Sequence, residues 1–196
     1  MLNPNFVLVG ILIGAIGSLS YLIDTVRGKI KPNRVSFFMW SIAPLIAFAA
    51  EVKEGVGIQS IMTFSIGFFP LIIFIATFVN KKAEWKLTPF DLACGILSFV
   101  GLFLWYITKV GNIAIFFSVL ADGLAAIPTI VKSYHFPETE RPIPWLSSSI
   151  NGLFTTLTIK TWNFSTYGFP VYYLLVTLII FILVQFKIGK KYNLFK

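Results

Sequence analysis

The chain has 196 residues, 57% of them hydrophobic and 12% charged, and a mean hydropathy of +0.83. Soluble domains carry about 25% charge, so a soluble globular domain is excluded. The formal charge of +8 is no nucleic-acid footprint, because the basic residues flank apolar runs, where they set orientation. Those runs are continuous rather than alternating, which predicts an all-α integral membrane protein and not a β-barrel. Cys94 is the only cysteine, so no internal disulfide can form.

Seven spans are predicted in chain order: 6–24, 36–50, 57–79 (with Pro70 inside it), 90–107, 111–133, 143–159 and 167–186. No basic residue stands in 1–5, so the first span is expected to stay rather than be cleaved. Residues 51–56 read as a charged turn. The second and sixth spans fall short of the roughly 20 residues a bilayer asks for. They must lie inside the bundle or extend into their loops. An odd number of spans puts the termini on opposite sides. With the N-terminus outside, Arg27, Lys29, Lys31, Arg34, Lys81, Lys82, Lys86, Lys132, Arg141, Lys187, Lys190, Lys191 and Lys196 fall inside, and only Lys53, Lys109 and Lys160 outside. The positive-inside bias therefore predicts N-out, C-in. A prokaryotic plasma (inner) membrane is the expected location.

The halves repeat. Pro32 and Trp40 stand eight apart, as do Pro137 and Trp145, and each pair crosses a basic loop into a short apolar helix. The same shift lays Val26-Arg27 on Val131-Lys132. Gly67–Pro70 and Gly168–Pro170 share a Gly-Phe-Pro pattern. The chain is thus expected to hold two three-helix units joined by a linker helix (3+1+3): residues 1–80, linker 81–110, and 111–196 with a basic tail. Chance likeness between apolar segments is the competing explanation. Parallel repeats of this kind occur in transporters.

This layout resembles the PQ-loop superfamily, which includes the SWEET sugar transporters and the KDEL receptor. The closest match is Ala126-Ile127-Pro128-Thr129-Ile130-Val131-Lys132, similar to the family's proline-containing helix running into a basic loop. Asn151-Gly152 looks like the Asn-Gly of the matching SWEET helix. The departures are the absence of a Pro-Gln dipeptide, Leu22-Ile23 in the first half opposite Ile127-Pro128, and tryptophans nearer the inner helix ends. The resemblance implies a small-solute carrier working by alternating access. A sugar, a vitamin or a similar polar metabolite would bind at the midplane, with a proton as one candidate for coupling. The alternative it leaves open is a non-transporting membrane receptor or scaffold.

Polar groups in a membrane interior mark function by default. Asp122 and Asn151 come to about the same depth in the fifth and sixth spans. A buried carboxylate binds a cation, an amine or a proton, and Asn151 offers both a donor and an acceptor. The candidate substrate-binding set is Asp122, Asn151, Ser148, Ser147, Trp145 and Tyr21. For Asp122 the competing role is an interhelical hydrogen bond, and for Ser147, Ser148 and Ser149 it is close helix packing. Pro70, Pro128 and Pro170 are either hinges or tolerated kinks. Trp40 and Trp145 either gate the inner side or anchor helices at the headgroups. Trp85, Trp162, Tyr134, Tyr167, Trp105 and Tyr106 read as belt or lipid-facing residues, and His135 as a solvated loop residue. One Cys and one His cannot build a zinc site. No phosphate-binding loop or nucleophile elbow is present, and no lysine inside the seventh span could hold retinal. No enzyme activity, catalytic residue, metal or cofactor is expected. Homo-oligomerisation is left open.

Overall fold

Apolar stretches this long can lie in lipid only by bonding their peptide groups internally. The computed structural model describes residues 2–108 and 111–192, and these form helices with no strand. Lys109, Lys196 and the side chain of Trp105 lie outside what is described. The helices are α1 Phe6–Val26, α2 Arg34–Lys53, α3 Ser60–Ala76, α4 Pro89–Thr108, α5 Gly111–His135, α6 Pro142–Thr158, α7 Phe164–Phe186 and a short α8, Ile188–Tyr192. Among the described residues α1, α2, α5 from Ile115 onward and α7 are long and apolar enough to cross a membrane. Helices α3 and α6 have 17 residues each.

The ends differ from expectation for local reasons. Helix α2 starts early because Asn33 accepts from the Val35 and Ser36 amides as its N-cap. It also runs through Glu51, which was expected in a turn. Glu51 is buried and accepts from Thr63 Oγ1 at 3.1 Å. Helix α3 stops at Ala76, where the Arg34 guanidinium donates to the Thr77 carbonyl at 2.9 Å, a cation on orphan carbonyls. Asn163 and Thr166 cap α7 reciprocally, which starts it three residues early. Pro44 sits inside α2 and was not singled out from the sequence.

Helix α1 lies along α6 and also touches α3; α2 lies between α3 and α5; α7 packs on α6 and α5; α4 rests on α5 with lighter contact to α2. Small residues let these backbones approach. A Cβ on Gly152 of α6 would come 3.0 Å from Leu174 Cα and N of α7, which are backbone atoms that cannot swing aside. Gly152→Leu should therefore cost about 1–3 kcal/mol, read as a lower melting temperature of the detergent-solubilised protein.

Lys187 takes a left-handed conformation (φ 50°) and ends α7. In the α8 that follows, Lys190 pairs with Glu138 at 2.7 Å. Lys190's hydrogen bond holds the Glu138 carboxyl below its ordinary value. A depressed folded-state value gives stability that is present above the unfolded value, about 4.3, and lost as pH falls through the folded one. Both side chains are about half exposed, so the pair contributes no more than about 0.5 kcal/mol. Glu138→Gln should lower the melting temperature slightly at pH 7, and the two proteins should converge by about pH 3.

Candidate functional site

A cavity opens between the helices. Every one of α1, α2, α3, α5, α6 and α7 contributes to its wall, and no described residue of α4 does. Of the residues expected there, Asp122, Asn151, Ser148, Trp145, Tyr21, Trp40 and Pro70 line it. Ser147, Pro128 and Pro170 do not. Ser147 is one residue, about 100°, round α6 from Ser148. It faces α1, where a Cβ on Gly17 would meet its own Cβ at 2.6 Å, so it serves helix packing. Pro128 stands six residues beyond Asp122, which turns it away from that residue's face of α5, and Pro170 lies N-terminal to Tyr172, the first α7 residue that lines the cavity.

Asp122 is buried with its carboxylate split between two fates. Oδ2 accepts from Tyr172 Oη at 2.6 Å, while Oδ1 is buried without a partner. The backbone carbonyl of Asp122 accepts from Trp40 Nε1 at 3.2 Å, so α2 and α5 are tied at this level. The Asn151 carboxamide lies over α1, where a Cβ on Gly14 would sit 3.0 Å from Nδ2. A larger residue at that position would push the carboxamide aside by a few tenths of an ångström. Asn151 Oδ1 is likewise buried and unpartnered. Among the described residues no three His, Cys, Asp or Glu side chains gather in a way that could hold a metal ion.

The cavity floor is aromatic. Tyr21 stacks on Phe37 (5.3 Å between ring centroids), Phe37 meets Trp40 edge-on (5.2 Å), Trp40 meets Trp145 (5.9 Å), and Trp145 returns to Tyr21 (5.9 Å). Each such pair adds roughly 0.5–1.5 kcal/mol beyond its buried area. Trp40 and Trp145 are each only 7% exposed, so both sit inside the bundle.

Beneath the floor lies a group of residues that the sequence reading missed. Glu140 accepts from Tyr21 Oη at 2.9 Å, from Trp145 Nε1 at 3.2 Å and from Lys132 Nζ at 2.5 Å. Lys132 Nζ also donates to the Lys31 carbonyl at 2.6 Å and lies 5.3 Å from the centroid of the Trp85 ring. The Lys132–Glu140 pair is fully buried. Lys132 was expected as one of the inner-side basic residues that set orientation; it is the last-turn cation of α5 and is sealed under the cavity. The Trp85 ring covers it. Beside this group Arg141 pairs with Asp24 at 3.1 Å. The only signal in the sequence was a Lys and a Glu flanking Pro137, which is weak without the fold.

Chemically, the site offers one carboxylate oxygen and one amide oxygen free to accept, a ring-lined floor, and a buried ionic lock below it. No family model, no curated protein and no solved structure matches this chain.

Proposed function

We propose that this protein is a small-solute carrier of the PQ-loop or SWEET-like type, working by alternating access between two three-helix bundles joined by α4. The observation that carries the reading is a cavity walled by six helices around the buried Asp122, closed on one side by the Glu140 lock. The contact pattern supports the internal repeat. Exchanging α1, α2, α3 for α5, α6, α7 turns the α1–α6 contact into α5–α2, α2–α3 into α6–α7 and α1–α3 into α5–α7, and all of these contacts are present. Trp40 and Trp145 meet at the join. In this reading the lock is the inner gate, the N-terminus is outside, and the substrate is a small polar metabolite, with a proton as a candidate partner.

The rival reading, a receptor or scaffold, draws on the chemistry concentrated between Lys132 and Arg141. One experiment separates them. Ser148→Cys in a Cys94→Ala background is exposed to a membrane-impermeant maleimide, separately from each side of sealed vesicles. A carrier is labelled from both sides. Labelling from one side only favours the receptor, and no labelling from either side overturns the carrier.

A further inference from the structure

We infer that the cavity takes an organic monocation: a small solute with a primary or secondary ammonium on an apolar, ring-bearing body. This rests on the carrier reading only in taking the same cavity as the binding site.

Three features of the wall point the same way. The first is charge. Among the described lining residues Asp122 is the only carboxyl group, and no lysine, arginine or histidine stands with it. The nearest buried cation, Lys132, lies beneath the floor with its charge answered by Glu140 and the Lys31 carbonyl. An anion in the cavity would face a carboxylate with no free cation to offset it.

The second feature is hydrogen-bonding capacity. Most of the strong donors of the wall are already used. Tyr172 donates to the Asp122 carboxylate, Trp40 to its carbonyl, and Tyr21 and Trp145 to Glu140. Ser65 donates to the Met62 carbonyl of its own helix, and Thr177 to that of Tyr173. The acceptors are not used up, since Asp122 Oδ1 and Asn151 Oδ1 are both buried and unpartnered. Ser18, the Asn151 amide and the one proton left over from the Tyr173–Ser148 hydroxyl pair remain as donors, enough to orient a neutral group and too few to hold an anion beside Asp122. A wall short of donors and rich in acceptors is complementary to a ligand that only donates, which describes an ammonium.

The third feature is the rings. A polyol would turn several hydroxyls toward aromatic faces that cannot bond them, and buried unpaired hydroxyls are costly. A cation is attracted to those faces, and an apolar body fills the space between them.

The test uses three probes sharing one ring: tyramine, tyrosol and 4-hydroxyphenylacetate, which carry an ammonium, a hydroxyl and a carboxylate on it. Each is titrated calorimetrically into the full-length protein in detergent. Tyramine is expected to bind at least tenfold more tightly than tyrosol, with 4-hydroxyphenylacetate weakest. Asp122→Asn should bring tyramine down to the level of tyrosol. Any other order in the wild type, including no binding of any probe, overturns the inference, as does tyramine affinity unchanged in Asp122→Asn. If that variant fails to fold, the wild-type order decides alone. Titration says nothing about passage, so it is independent of the vesicle labelling. Tyramine preference with one-sided labelling would sink carriage alone, and two-sided labelling with tyrosol preferred would sink the ligand class alone.

Discussion

Glu140→Ala should be the most destabilising single truncation in the lower half of the cavity. It strands the Lys132 ammonium, whose side chain is 1% exposed, with only the Lys31 carbonyl as an acceptor. It also frees Tyr21 Oη and Trp145 Nε1 from their acceptor. Removing one partner of a buried ion pair costs about 3–5 kcal/mol. For a chain of this length that corresponds to a fall in melting temperature of roughly 10 °C. The double variant Lys132→Met/Glu140→Met should recover most of the loss, because it removes both charges while keeping the volume. Thermal unfolding in detergent measures both variants. A Glu140→Ala protein as stable as wild type would mean that the pair is not closed in solution. If the pair is also the gate, the double variant should label faster at Ser148→Cys from the Glu140 side than the parent does.

The second large effect concerns Asp122 and Tyr172. Interhelical hydrogen bonds between neutral groups in membrane bundles couple by about 0.6 kcal/mol. Bonds to a charged partner contribute about 1.5–3 kcal/mol. The 2.6 Å contact between Tyr172 Oη and Asp122 Oδ2 should fall in the upper class if the acid holds its charge for a cationic ligand. A cycle of Tyr172→Phe, Asp122→Ala and the double variant, read by unfolding, is therefore expected to return a coupling of about 1.5 kcal/mol or more. A value near 0.6 kcal/mol would show that the acid is held neutral, and the bond would then be a structural clip.

Much of this was legible in the sequence because membrane burial makes polar residues conspicuous. Asp122 and Asn151 stand out in apolar runs, and both line the cavity. The matched Pro–Trp spacing brought forward Trp40 and Trp145, which meet at its floor. Three serines in a row cover too much of a helix turn for sequence to say which faces inward. Packing against Gly17 decided it for Ser147. The Lys132–Glu140 pair was illegible for a different reason. A basic residue at a helix end reads as a solvated topology signal, and only the tertiary approach of Tyr21, Lys31 and Trp145 turns it into a buried lock. Tyr172 was hidden among the other aromatics of α7. Glu51 was misplaced because its charged neighbours suggested a turn, whereas Thr63 on the next helix takes it inside.

The crossed pairing of α1 with α6 and of α2 with α5 has a consequence for biosynthesis. When the ribosome has released only α1 to α4, the glycine face of α1 and the α5-facing side of α2 have no protein to cover them. The nascent N-terminal portion must wait in lipid as a loosely held intermediate. Native closure becomes available only once α5 and α6 have been inserted, so a chain truncated after α4 should be degraded rather than accumulate as a stable half.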